Sequence, residues 1–147
     1  MMVSHRRALV LDANILIRAV LGPRVRNLII ENMNRVQFFT PIECIHDAKN
    51  YLPVILRSKG VDPIPAMEVL NLILNEIHGL ENEWLEDYEA IAKNRLEKRD
   101  LNDWPVLAAA LALSCPIWTQ DTDFFGVGVA TWTTEHISEY FSMGTPH

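Results

Sequence analysis

The chain has little of what would place it outside the cell or in a membrane. It has two cysteines in 147 residues, too few for a disulfide framework. Cys44 and Cys115 both lie in apolar surroundings, which reads as two buried thiols and suits a reducing cytoplasm. No apolar run reaches the roughly 18 residues that a membrane-spanning helix requires. The basic start, Met1 to Arg7, leads into an apolar stretch that Asp12 and Asn14 interrupt too early for a secretory signal. An excess of positive charge is also lacking: the formal net charge is −6, which argues against a general nucleic-acid coat. His5, His46, His78, His136 and His147 are scattered, and with the two cysteines they make no zinc spacing. Internal repeats, low-complexity tracts and linkers are absent as well.

What is present is a soluble globular composition, 49% hydrophobic and 22% charged, at a length suited to one domain. Residues 8–12 form a short apolar run ending in a carboxylate, the pattern of a buried strand. Residues 14–21 have helical spacing up to the Gly22-Pro23 break, and Val25, Leu28, Ile29 and Met33 resume it. Residues 36–39 read as a second strand. Thr40 is the expected N-cap of a helix with Pro41 at its first position. Its buried stripe is Ile42, Ile45, Ala48, Leu52 and Ile55, with a kink or short break at Pro53.

A turn over 58–65, a helix over 66–74 and a weak strand signal near Ile77 follow. Trp84, Tyr88, Ile91, Ala92 and Arg95 mark the next helix. The acids around it, from Glu76 to Glu89, read as a solvated face or as a docking face for a basic partner. After a polar loop over 98–102, residues 103–114 form an Ala-rich helix. Residues 116–119 and 127–132 read as strands, residues 133–141 as a short helix, and the remainder as a loose tail. Gly126-Val127-Gly128 reads as a turn rather than a phosphate loop. Trp104, Trp118 and Trp132 read as core or rim residues, with base stacking a minor alternative.

Strands alternating with helices predict an α/β fold with a mainly parallel sheet of four to five strands. Ligands gather at the carboxyl ends of such strands, where Asp12 and Asp121 fall. The candidate acids are Asp12, Glu43, Asp47, Asp100, Asp103, Asp121 and Asp123. Two carboxylates 4 Å apart repel by about 4 kcal/mol at an effective dielectric near 20. Convergent acids therefore need either protons or a cation, and an all-oxygen set suits Mg²⁺ or Mn²⁺. With such a cation the chemistry to expect is phosphodiester hydrolysis, by one metal or by two about 3.5–4 Å apart.

Bland readings stand beside these. Asp12 and Asp103 could be plain helix caps, Asp100 a cap, and Thr119 an ordinary strand residue or a hydrogen-bond donor to a carboxylate. His46 reads as a solvated surface histidine. A phosphatase of the Asp-nucleophile type would want Asp-x-Asp after the first strand, where residue 14 is Asn. A non-catalytic binding module is the other alternative.

Four segments together resemble the PIN-domain nucleases, the fold of VapC-type toxins. Residues 8–17 resemble the opening motif, an apolar strand followed by Asp-x-Asn. Thr40-Pro41 followed by Asp47-Ala48 resembles the second, Asp103 with its Ala-rich helix the third, and Thr119-Gln120-Asp121-Thr122-Asp123-Phe124 the fourth. The resemblance covers nearly the whole chain and implies a single three-layer PIN-like domain over 1–147. It implies a Mg²⁺- or Mn²⁺-dependent endoribonuclease with Asp12, Asp47, Asp103 and Asp121 as catalytic and metal-binding acids. Asn14, Glu43, Asp100, Thr119 and Asp123 would support them. The family's second acid is usually Glu, whereas Asp47 stands at the matching position. Glu43, one turn earlier on the same helix face, is the alternative for that role. An RNA substrate, a small antitoxin partner and a homodimer are the associations the resemblance implies.

Overall fold

The computed structural model describes residues 6–143; the chain's basic start through His5 and its tail after Met143, including His147, lie outside the described residues. Five strands form one sheet in the order β3-β2-β1-β4-β5, every neighbouring pair parallel. They are β1 (Arg7–Leu11), β2 (Val36–Pro41), β3 (His78–Leu80), β4 (Ile117–Trp118) and β5 (Thr131–Trp132). The helices among the described residues are α1 (Ala13–Leu21), α2 (Pro23–Glu31), α3 (Ile42–Ser58), α4 (Ile64–Leu74), α5 (Asn82–Arg95), α6 (Trp104–Leu113) and α7 (Ile137–Ser142). Layers of helix flank the sheet in the three-layer α/β arrangement expected. None of these helices is long and apolar enough to cross a membrane.

A parallel sheet covered on both faces needs strands apolar throughout, and Leu9, Val10 and Leu11 are accordingly without exposed surface. Strand order reverses between β1 and β4. Chains leaving those two strands diverge to opposite sides, which opens a crevice at their carboxyl ends. Asp12 follows β1 and Asp121 lies just beyond β4, so both acids stand at this switch point.

Helix α6 lies against β1 and β2 and packs against α5. Its apolar residues run all the way round rather than along one stripe, as a helix enclosed by protein demands. Ala108, Ala109 and Ala110 are fully buried, so the small side chains let α6 approach its neighbours closely. Val106 and Leu107 are buried beside them.

Several sequence expectations need correction. Thr40 does not cap α3. It is the fifth residue of β2, and its hydroxyl donates to the Leu11 carbonyl at 2.8 Å, tying β2 to the end of β1. Pro41 occupies the N-cap position instead, with no side-chain cap. The buried stripe of α3 is Cys44, Ala48, Leu52 and Leu56, a strict four-residue spacing that leaves Ile55 only half-buried. No break occurs at Pro53, because α3 continues through it. The weak strand signal near Ile77 is realised one residue later as β3. The strand expected over 127–132 shrinks to Thr131–Trp132, since Gly126 and Gly128 take positive φ angles of 77° and 92° that no strand accommodates. Cys44 is a buried free thiol, while Cys115 is free and only half-buried.

The close packing of α6 makes volume the sensitive variable. Ala109→Leu is expected to destabilise the protein by about 1–3 kcal/mol through overpacking. Chemical denaturation checks this, with the exposed Ala90→Leu in α5 expected to be nearly neutral.

Candidate metal centre at the sheet edge

Asp12 is buried and doubly held. As N-cap of α1 it accepts through Oδ1 from the Ile15 amide at 3.2 Å, and its Oδ2 accepts a short hydrogen bond from the Thr119 hydroxyl. The capping reading is thus true of one oxygen while the other is held from β4's side of the crevice. Thr119 is itself fully buried, and its Oγ1 accepts from the Asp121 amide at 2.9 Å. One threonine therefore fixes both the first acid and the start of the loop carrying the next. Asp121 in turn accepts through Oδ1 from the Asp123 amide at 2.9 Å, closing a short turn over Thr122–Phe124.

Asp103 stands at the N-terminus of α6 but does not cap it, since its side chain makes no cap hydrogen bond. Its Oδ2 is buried and has no hydrogen-bond partner among the described residues. Carboxylate oxygens of Asp103, Asp121 and Asp123 all lie within 4.8 Å of one another. Asp100 accepts from the Asn102 amide at 2.9 Å and so caps the turn that delivers Asp103.

Asp12, Asp103, Asp121, Asp47 and Glu43 line one cleft of about 190 Å³, with Asn14 also at its wall. Asp47 and Glu43 reach it from successive turns of α3. Glu43 accepts from Asn82 Nδ2 at 2.9 Å, which ties it to the start of α5. The Asp47 side chain makes no hydrogen bond among the described residues, and neither the α3 acids nor Asp12 belong to the tight group of three. His46 is exposed on the same helix.

Burial pushes Asp12 up to about 6, against the lowering effect of the Thr119 and Ile15 bonds, with the Asp121 charge adding to the rise. Burial also pushes Asp103 up to about 7, followed by the charges of Asp121 and Asp100. Asp47 is raised as well, first by burial and then by Glu43. These shifts describe the acids without a cation. A buried carboxylate oxygen lacking any donor, on a residue grouped with other carboxylates in an all-oxygen set, is what a hard divalent cation satisfies. The residues present fit such an ion.

Sequence reasoning places Arg95 on a helix and gives Arg99 no role, and it misses what the two side chains hold. Arg99 Nη1 donates to the Asp123 carbonyl at 2.8 Å, and Arg95 Nη1 donates to the Val127 carbonyl at 3.1 Å. Both guanidinium groups clamp the loop after Asp121 onto the end of α5. An added Cβ at Gly128 would lie 2.6 Å from Arg95 Nη1, so the flexible guanidinium would have to shift, while the φ of 92° is the stricter demand for glycine there. Their i,i+4 spacing is visible in the sequence, but the carbonyls they serve lie 32 and 24 residues away and carry no sequence signature.

An α/β fold with carboxylates gathered at the switch point of a parallel sheet defines a class of acidic-site proteins, and the comparisons narrow it. The sequence matches the family profile described as "PIN domain" over residues 10–142. The chain belongs to the PIN-domain family. Among solved structures it resembles PAE2754 from Pyrobaculum aerophilum, with TM-score 0.74 and 17% identity over 95% of this chain and 98% of that one. It also resembles VapBC2 from Rickettsia felis, solved bound to a DNA fragment from their promoter, with TM-score 0.67 and 14% identity over 86% and 98% of the two chains. FitAcB from Neisseria gonorrhoeae gives TM-score 0.59 and 19% identity over 87% and 99%. No curated protein matches the sequence significantly.

Two outcomes are expected from this geometry. In the metal-free protein Asp12 and Asp103 keep protons, up to about pH 6 and 7, that the unfolded chain has released above its ordinary value of 3.8. Stability should therefore fall as pH rises through that window. Urea denaturation in chelator at pH 5 and pH 8 checks this, and Asp103→Asn should flatten the dependence. Separately, Gly128→Ala should cost about 1–2 kcal/mol from its left-handed backbone alone. In an Arg95→Ala background the additional cost of the clash should vanish, which a double-mutant cycle reads directly.

Proposed function

We propose that the protein is a Mg²⁺- or Mn²⁺-dependent endoribonuclease, the toxin of a toxin–antitoxin pair. The observation that carries the nuclease reading is Asp103, whose buried Oδ2 has no hydrogen-bond partner and whose carboxylate groups with those of Asp121 and Asp123 at the sheet's switch point. Asp12, Asp103 and Asp121 are the acids that would hold the ion, with Asp47 completing the set from α3. Asp47 is preferred over Glu43 because Glu43 is engaged by Asn82. Held by these acids, a divalent cation would supply activation of water and stabilisation of charge on the phosphodiester's leaving oxygen.

The chain's own residues supply the order this needs. Thr119 and the Ile15 amide hold Asp12 in a single orientation. The Asp123 amide turns Asp121 inward. Asp47, without a hydrogen-bond partner of its own, is the carboxylate most free to accept a proton from water in the cleft. Asn14 lies at the wall of that cleft, and Asp123 and Asp100 support the turns that carry Asp121 and Asp103.

Support for the toxin reading comes from the structural likeness to VapBC2 and FitAcB. By that analogy the partner is a small protein encoded beside this one, the protein works in the cytoplasm, and it pairs with a second copy of itself. A short neighbouring gene with a DNA-binding motif is the expected genomic sign.

The test is RNA cleavage with Mg²⁺, with Mn²⁺ and with chelator. Cleavage should require the metal and be abolished by Asp12→Asn. Thr119→Val should reduce it by about 10- to 100-fold, the usual effect of losing a group that orients a ligand. Equal cleavage by Asp12→Asn would show the assigned site to be wrong. A broad RNA set left uncut would favour the PIN fold acting as a binding module.

A further inference from the structure

A second and larger concavity adjoins the acid cleft. It measures about 850 Å³ and runs between the α1–α2 corner and the segment following β4 and β5. The two hollows share Asn14, Ile17 and Asp121, so a polymer leaving the acids passes directly into the larger one. Arg18 and Arg24 line it, both exposed.

These two arginines differ from their neighbour Arg26, whose guanidinium is held by the carbonyls of Ala19 and Val20. The Arg18 side chain makes no hydrogen bond or ion pair among the described residues. Arg24 has only the attraction of Glu135 across the groove. Arg18 stands one helical turn after Asn14, on the same face of α1 and leading away from the acids. Two unengaged guanidinium groups beside a carboxylate cluster are notable in a chain of net charge −6.

The opposite wall is fixed rather than flexible. Trp118 Nε1 donates to Thr134 Oγ1 at 3.1 Å, and the Thr134 amide donates to Gln120 Oε1 at 2.6 Å. Gln120 Nε2 in turn donates to Glu135 Oε2 at 3.4 Å, so these two side chains form the rim opposite the arginines as a bonded pair. Phosphates are repelled by Glu135 and paired by arginine, whereas base N–H groups are accepted by a carboxylate.

Resting on the nuclease reading above, we infer that this groove holds the single-stranded RNA flanking the scissile phosphate. Its backbone follows Arg18 and Arg24, and its bases turn toward Gln120 and Glu135. The apolar surface of Ile17 and Leu21 lies between the two walls. The volume falls within the range of nucleotide-sized ligand clefts, roughly 300–1,000 Å³.

The test uses the full chain in an Asp12→Asn background with Mg²⁺, and reads fluorescence anisotropy of a labelled single-stranded decaribonucleotide across salt concentrations. Arg18→Ala and Arg24→Ala should each weaken binding about five- to tenfold and reduce the logarithmic salt slope by about 0.7, the increment for one phosphate on a single strand. Arg18→Lys should retain the slope, and thermal unfolding should be unchanged. Arg57→Ala, an exposed arginine in the last turn of α3 away from the groove, should alter neither affinity nor slope. Wild-type-like binding by both groove variants overturns the inference, as does an equal loss in Arg57→Ala or a failure of the parent protein to bind. The two readings fail separately. Cleavage by the wild type together with binding indifferent to Arg18 and Arg24 would remove the groove and leave the nuclease. Arginine-dependent binding with no cleavage under any metal would do the reverse.

Discussion

Carboxylates crowded at the carboxyl ends of a buried sheet's inner strands repel one another and resist leaving water, and the rest of the fold is arranged to hold them there. Asp12 is almost without exposed surface, yet it sits close enough to Asp121 to feel its charge. Asp103 is raised by Asp121, Asp100, Asp12 and Asp123 together, after burial itself. Left to relax, such groups would turn outward. What prevents it is a chain of short local bonds: the Ile15 amide and Thr119 hydroxyl on Asp12, the Asp121 amide on Thr119, and the Asp123 amide on Asp121. Each bond is modest by itself. In series they leave the acids few ways to separate without unpicking the end of β4.

Backbone packing supplies the other half of that constraint. Asp103 can stand at the crevice only because α6 lies close against the sheet, and α6 can do so only because residues 108–110 are alanine. The loop beyond Asp121 has almost no secondary structure, so its position is set from outside by the guanidinium groups of Arg95 and Arg99 on its carbonyls. Acids from four distant segments thus depend on a sheet, a helix of small residues and two arginines, none of which carries the chemistry.

The parts legible in the sequence were those whose signal is local. Apolar strands ending in a carboxylate, the Gly22-Pro23 break and the alanine run of α6 each express a rule acting within a few residues, and they led to the parallel sheet and to Asp12, Asp103 and Asp121 at its edge. Thr40 misled because threonine before proline has the form of a helix start. In the folded chain its hydroxyl has a better partner in the Leu11 carbonyl, 29 residues away. The strand at 127–132 was overextended because Val127 and Val129 look like strand residues while the glycines beside them take left-handed angles. The arginine clamp had no local signature, since its acceptors are backbone carbonyls that any residue could provide. Asp47 and Glu43 share a helix face in sequence and in structure alike, and only the Asn82 bond distinguishes them.

The same electrostatics links stability to the proposed activity. Without a cation, the raised Asp12 and Asp103 oppose folding wherever the unfolded chain would ionise them freely. A cation that binds the folded site and not the unfolded chain reverses this, stabilising by RT ln(1 + [M]/Kd), about 2.7 kcal/mol at a hundredfold excess over Kd. Relieving the acids by Asn substitution would therefore strengthen the metal-free fold while removing the attraction that draws the ion in. Under the proposed function these are one quantity seen from two sides, because the burial and mutual repulsion that raise Asp12 and Asp103 are what an ion would relieve on binding. Under that same reading an acidic protein could approach a polyanion: a cation would offset the charge of the acid cleft, and Arg18 and Arg24 line the groove beside it.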